Sequence, residues 1–134
     1  MPQSLDFDAS HRYSAADGID VPIELRAGNR KVELLARLDT GAAYCIFERK
    51  YAEALRLDVE SGPVRRFMTM AGSFVAHEHE VTLHTLGIEF SAVVYFAHDW
   101  AFSKSFVGRT GWLDRLRVGI VDYDRLLFLS SYDS

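Results

Sequence analysis

Residues 64–86 alternate apolar and polar side chains on either side of Ala71-Gly72-Ser73. Successive strand side chains point to opposite faces, so two period-two runs around a small-residue turn specify a long β-hairpin. Such a hairpin is marginal by itself in water and needs more strands or a helix against its apolar face. The chain supplies strands. Residues 19–25 alternate, and Ala27-Gly28-Asn29-Arg30 turns them into a second run over 31–38. Pro22 fits an edge position, where its missing N–H costs no ladder bond. Residues 44–47 read as a short apolar strand, and residues 88–97, after the break at Gly87, as a longer one. Short strands are also expected over 105–108, 116–121 and 126–129, with a loop over 99–104 and a turn at Asp122-Tyr123-Asp124-Arg125. The spacing of Tyr51, Ala54 and Leu55 predicts one main helix over 48–57, ended by Ser61-Gly62-Pro63. Residues 112–115 make about one helical turn. The expectation is an all-β domain with one helix and a closed or sandwiched sheet.

Size and charge narrow what such a domain does. With 134 residues, 49% of them apolar, the chain is read as one domain over 1–134, its core running from 19 to 129 behind a polar N-terminal segment. A chain this long buries roughly two-thirds of its unfolded surface. The formal charge is −4, and the basic residues are scattered apart from the doublets Arg65-Arg66 and Arg30-Lys31. No nucleic-acid partner is expected, because binding a phosphate backbone runs on clustered positive charge. Cys45 is the one cysteine, and it reads as a small buried hydrophobe in a reducing compartment. Its sequence neighbours offer no basic group to make it a nucleophile. The first ten residues are polar and acidic, unlike a signal peptide. Apolar stretches reach only about seven residues, against the ~20 that span a bilayer. A cytoplasmic protein with no membrane segment is expected.

The chemistry concentrates at Asp39-Thr40-Gly41, which follows the apolar run over 32–38 and precedes small Ala42 and Ala43. Gly permits backbone angles that a side chain forbids, and a hydroxyl beside the acid can tie down a turn. A turn of this kind leaves a strand and presents a carboxylate toward neighbouring N–H groups. Further on, Phe106-Val107-Gly108-Arg109 puts two apolar residues and a Gly before the helical turn at 112–115. The order is therefore an apolar strand into Asp-Thr-Gly-Ala, a hairpin around Gly72, then apolar–apolar–Gly-Arg and a short helix.

That order, over 19–129, resembles the retropepsin family of aspartic peptidases, the single-domain enzymes of retroviral type and their relatives. The resemblance implies a closed barrel with one main helix and a flap hairpin, forming half of a two-fold homodimer. It makes Asp39 the catalytic acid, Thr40 the grip between the two active-site loops, and Gly41 a substrate-backbone contact, with Ala42 supporting the loop. Met70, Ala71, Gly72, Ser73 and Phe74 become the flap tip, and Phe106, Val107, Gly108 and Arg109 the supporting strand beside the catalytic loop. Retroviral enzymes follow Asp-Thr-Gly-Ala with an acidic residue that pairs with the Arg after the later Gly. Here that position is Ala43, so Arg109 lacks its expected partner.

The implied function is an endopeptidase that takes an extended peptide or protein substrate and needs no cofactor and no metal. Two carboxylates about 3 Å apart cannot both ionise, so the pair supplies base and acid together. One Asp-Thr-Gly per chain gives half a site, which a homodimer completes. The alternative is a catalytically silent domain of the same fold, acting as a dimeric binding or scaffold module. Ala42, Met68, Met70, Phe74 and Val107 are candidates to line an apolar groove. A rival signal is His77-x-His79 with Glu78, Glu80 and His84. The zinc-peptidase pattern puts two His four apart on a helix, and these lie in a strand pattern, so they are expected as solvated hairpin side chains. His11 and His98 are likewise expected at the surface.

Overall fold

The long hairpin is the spine of the larger sheet. The computed structural model describes residues 2–133; the end residues of the expected 1–134 domain lie outside them. Strands β1 to β10 are, in order, Ala9–Arg12, Asp20–Ala27, Arg30–Leu38, Ile46–Phe47, Val64–Thr69, Gly72–Thr85, Ile88–Ala97, Phe106–Val107, Leu116–Val121 and Leu126–Ser131. Helix α1 is Arg49–Ala54. β6 carries β7 along one edge, from Ala76↔Ala97 to Thr85↔Ile88. Its other edge takes β5 over 72–77 and then β2 at Glu24↔His84 to Arg26↔Thr82. The seven-stranded order is β2-β3-β8-β4-β7-β6-β5, and a second, three-stranded sheet has the order β1-β10-β9. The chain is mainly β.

The strand faces follow the alternation. Val21, Ile23 and Leu25 of β2, Leu34 and Ala36 of β3, and Val81 and Leu83 of β6 all turn inward and are buried in one core with Val94, Phe96, Trp112, Leu127 and Leu129. Pro22 sits where its missing donor is harmless. Its carbonyl, on the side away from β3, accepts from Thr85 Oγ1 at 3.1 Å, and backbone pairing with β6 begins only at Glu24.

Three elements differ from the sequence expectation. The helix is six residues long rather than the span 48–57, because Arg56 turns to a left-handed φ of 58°. Leu57 N then donates to Ala52 O and Arg56 N to Glu53 O, which satisfies the last carbonyls as a Schellman-type end does. The strand expected over 44–47 is reduced to Ile46–Phe47, with Tyr44 making a single bridge to Thr110. The N-terminal segment is part of the fold rather than outside it. Ala9↔Leu129 to Arg12↔Leu126 pair β1 with β10, and Tyr13 is buried with its hydroxyl donating to the Asp122 carboxylate.

Candidate active site

Asp39 leaves the end of β3 where that strand runs parallel to β8, with Leu38 opposite Val107. Its N–H donates to the Val107 carbonyl at 2.9 Å. Its Oδ1 accepts from the Gly41 N–H at 3.0 Å, and Ala42 N–H returns to the Asp39 carbonyl at 3.1 Å. Asp39, Thr40 and Gly41 are nonetheless all exposed. Main-chain bonds hold the turn, one of them to the carboxylate, and the residue stays open to solvent.

The chain over 108–110 crosses directly behind this loop. Arg109 N donates to Ala42 O and Thr110 N to Ala43 O, both at 2.9 Å. A Cβ on Gly108 would lie 2.5 Å from the carbonyl oxygens of both Ala42 and Tyr44. That close approach is why a glycine stands there. Cys45 closes the back of the crossing. Its Sγ accepts from Gly108 N at 3.4 Å and lies 3.5 Å from Thr110 O. Burial pushes the thiol up to about 12, so it is a packing residue and not a nucleophile, as its apolar surroundings imply.

In front of the crossing lies an aromatic layer beneath the hairpin. Ile46, Ala76 and Tyr95 are buried there against Tyr44, Phe67, Phe74, Phe102 and Phe106. Phe67 and Phe74 face each other across the β5–β6 ladder, with ring centres 5.2 Å apart and 15° between planes. Phe74 also packs on Phe102 at 4.5 Å, and Tyr44 meets Phe67 and Tyr95 edge-on. The hairpin is thus pinned to Tyr44, Tyr95 and Phe102 by apolar and quadrupole contacts. Its turn is narrower than the five residues expected. Only Met70 and Ala71 lie between the strands, Gly72 and Ser73 begin β6, and Phe74 belongs to the aromatic layer.

No protein-family model matches the chain, and no curated protein matches it. Among solved structures, a retropepsin-like aspartic protease from Rickettsia conorii superposes with a TM-score of 0.67. The match covers 89% of this chain and 95% of that one, at 19% identity. The chain has the retropepsin-like fold.

Within that fold, main-chain bonds join the Asp39 turn to the Gly108 crossing, and Tyr44 links the crossing to the aromatic layer under β5 and β6. Arg109 is exposed and has no ion-pair partner among the described residues, and Ala43, facing solvent, offers none. Two groove candidates are corrected. Val107 is wholly buried in the main core, because inward-facing β8 packs against it. Met68 is exposed on the hairpin's outer face, opposite Phe67, as strand alternation requires.

The expectation of solvated histidines fails at His77 and His79, while His98 is exposed as expected. His77 is buried, and its Nδ1–H donates to the Gly62 carbonyl at 3.1 Å. Its Nε2 then accepts from His98 Nδ1 at 3.0 Å. His79 Nε2 donates to Val59 O at 2.9 Å. These rings clamp the 3-10 turn Val59–Ser61 against the base of β6. A hollow of about 590 Å³ lies elsewhere, lined by Pro22, Glu24, Leu35 and His84 among others. None of Asp39, Thr40 and Gly41 lines it. Nothing in the sequence pattern marked Tyr44, Phe67, Tyr95 and Phe102 as a layer, because they come from four separate segments. No helix among the described residues is long and apolar enough to cross a membrane.

Proposed function

We propose that the chain is an aspartic endopeptidase, active as a homodimer in which two Asp39 carboxylates meet across a two-fold axis. The observation that carries this reading is the Asp39 turn itself, braced by Val107 and Gly41 yet open to solvent at the β3–β8 crossing of a retropepsin-like fold. The pairing of β2 with β6 supports taking the larger sheet as a closed barrel. One turn per chain supports a shared site, since an isologous interface brings the same residue from each copy to its axis.

In the pair, one carboxylate is ionised and the other protonated. The ionised one takes a proton from water as the water oxygen bonds to the scissile carbonyl carbon. The protonated one hydrogen-bonds the developing oxyanion, lowering its energy in a site that the hairpins shield from water. Collapse of the tetrahedral intermediate breaks the C–N bond, and the proton taken from water passes to the leaving nitrogen. The proton belongs to the pair, not to one copy. Thr40 hydroxyls grip the opposing loop, and Gly41 and the 70–74 hairpin hold an extended peptide.

The test is hydrolysis of an unfolded protein substrate at roughly pH 4–6, a range around and above the upper value of about 4.7 for pepsin's pair, with and without a statine-type inhibitor. Hydrolysis that the inhibitor stops and that Asp39→Asn abolishes is the expected result. Asp39→Asn cleaving at the wild-type rate overturns the reading. A second reading, a silent dimeric module that binds peptide, is favoured by Ala43 and by the unpaired Arg109. It requires wild type and Asp39→Asn to bind peptide equally with no cleavage by either.

A further inference from the structure

The inner face of β5 carries a cation for which the aspartic chemistry has no use. Arg65 and Phe67 share that face, while Arg66 points the other way and donates from Nη1 to Ser73 Oγ at 3.2 Å. The Arg65 guanidinium carbon is 4.7 Å from the centre of the Tyr44 ring and 5.8 Å from that of Tyr95. Its Nε donates to the Tyr95 hydroxyl at 3.2 Å, and that hydroxyl donates to Glu78 Oε1 at 3.0 Å. Glu78 accepts from Tyr95 and makes no close salt bridge to Arg65, although its charge attracts the guanidinium. The two terminal nitrogens of Arg65 have no hydrogen-bond partner among the described residues.

Two rings and one bond through Nε thus fix the guanidinium while its outer fork stays free. A fork held in this way is matched to a carboxylate, which it grips with two parallel hydrogen bonds. Because the side chain is already ordered, little rotamer entropy is lost on binding. Its position ties it to the acid. Tyr44, beneath Arg65, is rooted in the crossing where Gly108 passes the Ala42 and Tyr44 carbonyls. Arg109, exposed at the same crossing, adds positive charge, and Ala43 brings no carboxylate to neutralise it.

We propose that Arg65 reads a carboxylate on the bound chain, so that the substrate is an extended peptide with an Asp or Glu side chain close to the scissile bond. This rests on the endopeptidase reading for the act of cleavage and names the class of peptide that the site takes. The acidic residue belongs on the hairpin side of the peptide, next to the side chain that meets Phe67.

The experiment uses matched peptide libraries differing only by Glu, Gln or Lys at each position. Cleavage is followed with wild type, Arg65→Gln, Arg65→Lys and Arg65→Glu, and binding is followed with Asp39→Asn alone and with the same three Arg65 substitutions made in it. Wild type should favour Glu over Gln at one or two positions by roughly 10- to 100-fold in kcat/KM, the size of one charge-assisted contact. Arg65→Gln should remove that preference while still cleaving Gln peptides, Arg65→Lys should keep part of it, and Arg65→Glu should reverse it toward Lys. The binding arm separates the two claims. Glu-selective binding lost in Arg65→Gln, with no cleavage by wild type, upholds Arg65 as the reader and sinks the peptidase. Cleavage or binding indifferent to Glu, or a Glu preference that survives Arg65→Gln, overturns the inference. Absence of both cleavage and peptide binding overturns it too.

Discussion

Gly108 is the residue on which the loop geometry depends most directly. Its added Cβ would meet two backbone oxygens at 2.5 Å, and neither belongs to a flexible side chain that could yield. Gly108→Ala should therefore cost about 2–3 kcal/mol, as overpacking does, or roughly 10 °C of thermal midpoint in a chain of this size. Activity should fall further than stability, since the shift falls on the Ala42 and Tyr44 carbonyls beside Asp39. A thermal melt and a kcat at a temperature where both proteins are folded check this. Cys45 gives a second outcome. Its thiol sits well above the ordinary value because burial disfavours the thiolate, so the folded state holds the proton more tightly than the unfolded one. The stability this contributes is complete below about pH 9 and is lost as pH rises from 9 toward 12. Tyr13, through its bond to Asp122, and Tyr95, through burial, are raised and act in the same direction. The measurement is the urea midpoint against pH for wild type and Cys45→Ala; equal alkaline slopes would count against it. The Asp39 turn, the Gly108 approach and the burial of Cys45 were legible in the sequence because each is set by near neighbours and by residue chemistry. Arg65 was not. Its meaning comes from Tyr44 and Tyr95, which reach it across two strands, and alternation along β5 says nothing of those partners.

The hairpin shows what periodicity does and does not carry at the scale of an element. Its strands follow from the alternation, and its flank from Gly87, but its footing does not. The base of β6 is fastened by His77 to Gly62 and by His79 to Val59, while Glu78 N–H takes the Pro63 carbonyl at 2.9 Å. In a sequence, His-x-His among glutamates reads as a polar, solvated edge. In the fold, the facing segment over 59–62 lies against it and makes the His77 and His79 rings donors to part-buried carbonyls. Removing such a bond and leaving the carbonyl unpaired costs about 1–2 kcal/mol. His77→Ala and His79→Ala should each speed amide exchange in β5 by roughly 5- to 30-fold, the same energy expressed as an opening equilibrium. Exchange in β9 and β10, which belong to the other sheet, should be unchanged. Exchange that rises equally everywhere would mean the histidines act on global stability and not on the hairpin. The strand β1 was hidden for a different reason. Ala9-Ser10-His11-Arg12 has no apolar period, and it pairs because β10 offers an edge to it from the far end of the chain. The helix was overlong in the sequence reading because no Gly or Pro marks its end; Arg56 adopts the left-handed cap instead.

At the scale of the whole molecule, the proposed chemistry depends on how many carboxylates one chain brings to the site. The described chain has one Asp-Thr-Gly turn, and its carboxylate accepts a single main-chain N–H from Gly41. One such group cannot be both the base for water and the acid for the carbonyl in the same step, so the proposed chemistry requires two copies. Activity then tracks the dimer and not the chain. Specific activity should be constant well above the dimer dissociation constant and fall in proportion to concentration well below it, since mass action then sets the fraction paired. Thr40 is exposed in the single chain, so its hydroxyl is available for the opposing loop. Thr40→Ala should shift the midpoint of the dilution curve upward by roughly 5- to 30-fold, the loss of one to two net hydrogen bonds, while kcat at saturating protein concentration falls far less. A mixture of wild type with excess Asp39→Asn sharpens the test. Heterodimers carry one good acid each, so activity should fall with the square of the wild-type fraction instead of linearly. Analytical ultracentrifugation run on the same dilution series gives the dimer fraction independently. If the sedimenting species is a monomer at a concentration where hydrolysis proceeds undiminished, a shared Asp39 pair is wrong, and the second acid must be sought within one chain.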